Sequence, residues 1–399
     1  MKKIDEIPAQ LNLARLLVAI RQSEHTVRST LARSLHLSFA TVSNLYKVLE
    51  EHGYIRSDSL RKSSGGRRAA EITFNPTARY SVALHIEHHL GIRLALLDLS
   101  NNVLEEIVIQ PSASPSVDDL IAELATKLQA QLERHGIDPS LLIGAGVAIP
   151  GMFNRTTGVV QATTSPVLAN LNLKDRLERE LGCPVYIHND ADMAALAFNI
   201  EHSQDARNIL LIYFTVGIGL GIVADGDVYT GEAGFAGELG HTRWGCPLES
   251  GSPSSGTELK SIISAQSLLA EYHGKPIDDM EFHANWQPLM TELRDQYSSG
   301  ERRAVELLRE RGRFLGQVVG TLADLFDPGV VALGGHIDPI LPIWLPIIRE
   351  RARETSFYAQ NRDLVIRDAP NLEKLILTGC GEAAFQEWIK TSNIVEPAP

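Results

Sequence analysis

Thr215-Val-Gly-Ile-Gly-Leu-Gly221, followed closely by Gly237-Glu-Leu-Gly-His241, decides how this chain is read. Three glycines stand at every second position behind an apolar run that begins at Asn208. Residues 208–224 carry no charge. They are nonetheless too few for a comfortable membrane span, which takes about 20 apolar residues. The better reading is a buried strand over 209–214, a glycine turn and a second strand over 219–224.

Outward from this turn the pattern is α/β. From about Tyr80, residues 81–86, 91–98 and 103–110 read as three consecutive strands. A helix over 117–135, a strand over 143–149, a helix over 173–181 and a strand over 185–187 follow. The order βββαβα then restarts at 209–214, 219–224 and a short strand near Val228. Helices over 259–272 and 301–326, a strand over 330–333 and helices over 345–353 and 382–390 complete it. The helix over 301–326 carries an apolar stripe through Val305, Leu308, Leu315, Val319, Leu322 and Phe326. The duplication is inferred from element order, since no literal repeat exists.

The N-terminal segment is different. Leu13, Leu16, Leu17 and Ile20 give a helix over 11–22. Thr26 is placed to cap a helix over 27–35, and Ser38 to cap a third over 39–52 that ends at Gly53. Two helices joined by a short turn are the helix-turn-helix unit. In the third helix Val42, Leu45, Val48 and Leu49 face inward. Ser38, Phe39, Thr41, Ser43, Asn44 and Lys47 are the candidates for contact with double-stranded DNA. Two β-type runs after Tyr54 flank a tip rich in Gly, Ser and Arg, as in a winged helix. Arg67 and Arg68 of that tip suit a narrow minor groove. The competing readings are the polar face that any amphipathic helix has and a solvated basic loop.

Charge supports the division. Residues 1–75 hold 12 Lys/Arg against 7 Asp/Glu, about +5, leaving 25 against 42, about −17, for the rest. A basic head on an acidic body fits nucleic-acid binding by the head alone. Three scattered cysteines without a CxxC pair suggest a reducing compartment. The N-terminus has no apolar core for a signal peptide, so a cytoplasmic protein is expected, with no membrane contact.

The motifs occur in a telling order: the helix-turn-helix, IPG (149–151), HNDADMAALA (188–197), TVGIGLGI (215–222), GEAGFAGELGH (231–241) and DPGVVALGG (327–335). Over residues 10–390 the chain resembles the ROK family of repressors and sugar kinases, in its repressor branch. The resemblance implies a winged helix-turn-helix over 1–75 and a two-lobed, actin-like (RNase H-like) sugar-kinase fold. Its first lobe spans 80–188 and is completed by the terminal helix 382–390; its second spans 189–381. It implies a DNA operator and a sugar or sugar phosphate as partners, and a homodimer or tetramer. Asn189, Asp190, Glu238 and His241 take the sugar-binding positions, with Glu258 and Asn170 as weaker candidates. Asp190 matches the kinase's general base. For Asn189 and Asp190 the competing role is helix capping, and for His241 a structural histidine.

Three departures from the family pattern bear on function. Of a His and three Cys zinc ligands only His241 and Cys246 remain, so no metal is expected. The further sugar-binding glutamate that follows the last cysteine is blurred, Glu258 being offset by one or two positions. Where the kinases carry an Asp-x-Gly-Gly-Thr phosphate loop, this chain has Ile86-Glu-His-His-Leu-Gly91, so kinase activity and a nucleotide cofactor are not expected. The wing reads Gly66-Arg67-Arg68 in place of Gly-Arg-Pro. The expected function is a sugar-responsive transcriptional regulator. The alternatives are a sugar kinase with an added DNA-binding head, and a regulator that senses a protein partner.

Overall fold

The computed structural model describes residues 6–23, 26–58, 71–87, 91–109, 116–154, 157–162, 168, 170–202, 206–245, 256–391 and 394. Arg67, Arg68, His88, His89 and Cys246 lie outside them.

The head holds α1 (Glu6–Arg21), α2 (Arg28–Ser34) and α3 (Phe39–Glu51), then β1 (Ile55–Asp58) antiparallel to β2 (Glu71–Phe74). Ser38 caps α3, its Oγ accepting from Thr41 N at 3.0 Å. Thr26 does not cap α2. Its carbonyl accepts from Ile72 N at 2.9 Å, so it joins the wing, and Val27 stands at the cap.

The first lobe contains β3 (Tyr80–Glu87), β4 (Gly91–Asp98), β5 (Val103–Ile109), α4 (Val117–His135), β6 (Leu142–Ile149), β7 (Met152–Phe153), β8 (Val160–Ala162), α5 (Leu173–Leu181) and β9 (Val185–Asn189). Its main sheet runs β5-β4-β3-β6-β9. Then come α6 (Asp190–Glu201), β10 (Ile209–Phe214), β11 (Ile218–Ala224), β12 (Asp227–Val228), the β13 (Arg243–Trp244) and β14 (Thr257–Glu258) ribbon, α7 (Lys260–Ile263), α8 (Ala265–His273), α9 (Asp279–Ser298), α10 (Arg302–Phe326), β15 (Val330–Gly335), α11 (Leu341–Thr355), α12 (Phe357–Asn361), β16 (Val365–Asp368) and α13 (Leu372–Lys390). The second sheet runs β12-β11-β10-β15-β16. Each sheet joins three antiparallel strands to two parallel ones in the same order. That confirms the duplicated α/β architecture.

The central strands of both sheets are covered on two faces, which is why β6, β10 and β15 read as continuous apolar runs. Helices α4 and α5 cover the outside of the first sheet, and α7 to α11 the outside of the second. Between the sheets lie α6 and α13. Ten of the twelve residues of α6 are buried, Asp190, Asp192 and Asn199 among them, so this alanine-rich helix is covered on every side.

Several boundaries differ from the sequence reading. The helix expected over 259–272 divides at Ser264, whose side chain caps α8. Helix α11 begins at Leu341, with Pro342 in its first turn. Helix α9 was not foreseen, since Pro288 and scattered polar residues interrupt its apolar stripe. The terminal helix begins at Leu372 and spans 19 residues.

The long terminal helix also builds the junction with the head. Phe385, Trp388 and Ile394 join Leu16, Leu17, Ile20, Tyr54 and Ile72 in one core. The Arg21 Nη2 donates to Glu382 Oε2 at 2.6 Å, and its guanidinium lies 3.9 Å over the Phe385 ring. Asn101 Nδ2 donates to the same Glu382 oxygen at 2.9 Å, and Tyr54 Oη donates to the Ile394 carbonyl at 2.6 Å.

Candidate functional site

The two quoted motifs interlock around the first turn of α6. A Cβ at Gly221 would collide with the Ala191 carbonyl, so only glycine lets β11 lie flat against that turn. Gly237 has φ +93°, and a Cβ there would collide with the Leu220 carbonyl. Leu220 N donates to Gly237 O at 3.1 Å, which ties the second motif across β11. Helix, strand and loop are thereby fixed, and the side chains they carry meet in one cavity of about 570 Å³.

Asn189, Asp190, Glu238 and His241 all line that cavity. Asn189 and Asp190 are also caps: Asn189 Oδ1 and Asp190 Oδ1 accept from Ala191 N at 2.9 and 2.8 Å. Asn189 Nδ2 donates to the Gly151 carbonyl at 3.4 Å, joining the cap to the IPG turn. One oxygen of Asp190 is thus committed to the helix, while the residue, 8% exposed, lines the cavity. Burial pushes its carboxyl up to about 7, with the Glu238 charge adding and the Ala191 N–H opposing.

Two weaker candidates stand elsewhere. Asn170 occupies an exposed turn at φ +60°, where its N–H bonds to Val160 O. Asparagine tolerates that left-handed conformation, which accounts for the residue without a ligand. Glu258 sits in β14 opposite Arg243 and is absent from the cavity wall. Its Oε1 lies 3.4 Å from His241 Nδ1 and its Oε2 3.4 Å from Lys260 Nζ. The hydrogen bond to His241, then that to Lys260, holds its carboxyl below the usual range. Lys260, two positions on, forms the wall. The sequence signal for it was the offset of Glu258. Among the described residues no group of three His, Cys, Asp or Glu could hold a metal.

Near the end of β3 stands a buried histidine. His85 shares the inward face with Ala83, and burial lowers its imidazole to about 4. It is therefore neutral near pH 7. On the head, Phe39, Asn44 and Lys47 are exposed, Phe39 by 58%. The Thr41 hydroxyl is 2.8 Å from the Ser38 hydroxyl, within the cap. The Ser43 hydroxyl is buried, so it does not face outward with Asn44.

A family model described as "ROK family" matches residues 89–369, more than half of the chain. The chain belongs to the ROK family. Among curated ROK relatives, the xylose repressor of Caldicellulosiruptor bescii is 26% identical over 384 residues, covering 93% of this chain and 94% of that one. The DNA-binding transcriptional dual regulator NagC of Escherichia coli K12 is 25% identical over 367 residues, covering 86% and 84%. In fold, the chain is similar to a ROK family transcriptional regulator described as a homolog of the E. coli MLC protein. That match has a TM-score of 0.78 and 24% identity and covers 98% of this chain and 99% of that one. A ROK hexokinase from Thermus thermophilus matches 77% of this chain and 98% of its own, with TM-score 0.62 and 24% identity. No helix among the described residues is long and apolar enough to cross a membrane.

Proposed function

We propose that the chain is a sugar-responsive DNA-binding transcriptional repressor. Helix α3 reads the operator, and the cavity between the lobes binds the sugar. The observation that carries this reading is α13. One helix packs on α6, whose first turn floors the cavity, and on the core of the head. A ligand that favours one arrangement of the lobes thereby biases the head, provided its affinity for the two arrangements differs. The xylose repressor relative, whose match covers 93% of this chain and so reaches into the head as well as the body, supports the same reading. We assign it to homodimers or tetramers, because helix-turn-helix heads read paired half-sites.

The test is DNA binding by the full chain. Asn44→Ala is expected to relax base preference at one position by about 1–3 kcal/mol. Lys47→Ala is expected to weaken all sequences alike and to reduce the salt slope by about 1. A Lys47→Ala protein with an unchanged salt slope would remove α3 from the interface.

We further propose that kinase activity is lost. A first phosphate loop needs glycines that let backbone N–H groups approach phosphate, and this chain has the bulky His88 and His89 of Ile86-Glu-His-His-Leu-Gly91 in their place. A coupled assay over a panel of hexoses should show no ATP-dependent turnover. Turnover that Asp190→Ala abolishes would restore the kinase reading.

A further inference from the structure

Lys260 is the only lysine or arginine among the described residues of the cavity wall. It opens α7, directly after Leu259, which is fully buried and whose N–H bonds to Thr242 O at 2.9 Å. That anchor sets where the side chain starts. Behind the wall, Glu258 holds the ammonium at 3.4 Å, and His241 Nδ1 lies at the same distance. Both contacts are long for a charged hydrogen bond, which runs at about 2.7–2.9 Å. The ammonium is therefore held in place without its three donors being used up.

The acidic residues of the wall are Asp190, Glu238 and Asp279, among mostly neutral neighbours. Asp190 and Glu238 are acceptors suited to ring hydroxyls, and Asp279 is already occupied by Gln266 Nε2 at 2.8 Å. A neutral saccharide offers hydroxyls to such acceptors but gives an ammonium no charged partner. The resemblance puts a sugar-binding glutamate one or two positions from Glu258, and two positions on stands Lys260, of the opposite charge. The cavity, at about 570 Å³, also exceeds a hexose, which fills about 180 Å³ at interior packing density. Space remains for a substituent beyond the ring.

We propose that Lys260 selects an anionic saccharide. The ligand carries a carboxylate or a phosphate that meets the Lys260 ammonium, while its ring hydroxyls meet Asn189, Asp190 and Glu238. This rests on the reading of the cavity as a saccharide site. Asp190, whose burial keeps it largely protonated up to about pH 7, adds little repulsion to an arriving anion.

The experiment is calorimetry on the full chain with matched sets. Each set holds a neutral aldose, its uronate and its 6-phosphate, for glucose, mannose, galactose and N-acetylglucosamine. In at least one set an anionic member should bind more tightly than the neutral parent, by about 10- to 150-fold, the worth of a charged hydrogen bond. The two anionic arms tell carboxylate from phosphate. Lys260→Met should collapse that ratio towards one, Lys260→Arg should keep it, and Lys260→Glu should invert it. Preference for the neutral parent in every set that binds, or a ratio unchanged in Lys260→Met, overturns the inference while leaving the saccharide site standing. Binding that Asp190→Asn does not weaken, or no binding by any set, overturns the saccharide site and the role of Lys260 with it.

Discussion

Asp190→Asn is expected to keep the fold and to lose the ligand response. The change is nearly isosteric, and the amide oxygen can still accept from Ala191 N as the carboxylate does at 2.8 Å. What disappears, above about pH 7 where Asp190 is ionised, is a carboxylate for ligand hydroxyls, a contact worth roughly 1.5–3 kcal/mol, or about 10- to 150-fold in affinity. DNA affinity without ligand should hardly change. A pH signature accompanies this. The folded chain holds the Asp190 proton up to about pH 7, whereas the unfolded chain releases it near 3.8. Between these values the folded state binds more protons, so the contribution of Asp190 to stability falls as pH rises and levels off above about 7. The asparagine variant should lack that slope and melt higher than the parent at pH 8. A variant that unfolds, or that responds normally to ligand, would leave Asp190 a helix cap and nothing more.

Glu382→Ala is expected to destabilise the junction by about 3–5 kcal/mol, the usual cost of stranding one partner of a buried ion pair. Glu382 is 8% exposed and accepts from both Arg21 and Asn101. Without it the Arg21 guanidinium keeps its ring contact with Phe385 but no anion. Hydrogen exchange in α1 and in the second half of α13 should accelerate, while β10 and β15 stay protected. Ligand control of DNA affinity should shrink as well, because the head then loosens from the helix that reaches the cavity. The double variant Arg21→Met/Glu382→Leu should recover much of the stability, since an apolar pair can replace a buried ionic one. Equal exchange rates in the single and double variants would sink the ion pair as the element that holds the head.

Much of the fold was legible because burial leaves simple marks. Strands covered on both faces read as apolar runs, and the stripe of α10 has helical spacing. Asn189, Asp190, Glu238 and His241 were named through the resemblance their motifs carry, and they line one cavity where glycines at 221 and 237 let the backbones touch. The last helix, expected over 382–390, begins ten residues earlier and holds Gly379 and Gly381 inside it. A Cβ at Gly379 would collide with the Met193 carbonyl of α6, so the residue marks a helix crossing and not a helix end. Lys260 and the buried Ser43 hydroxyl were hidden for another reason. Which way a side chain points at the start of a short helix, or on the flank of α3, depends on partners distant in sequence.

The shared core of head and terminal helix constrains how such proteins can be recombined. Cutting the chain at about residue 75 would leave Leu99, Ile143, Phe385 and Trp388 without their cover from the head. A body made that way presents a sticky apolar face. Equally, a head grafted onto another body meets a foreign helix. An exchange of whole heads between relatives must therefore carry two separate pieces of sequence, the first 75 or so residues and the stretch from Glu382 to Ile394. Replacing the head and replacing the last turns of the chain are, for this architecture, one operation.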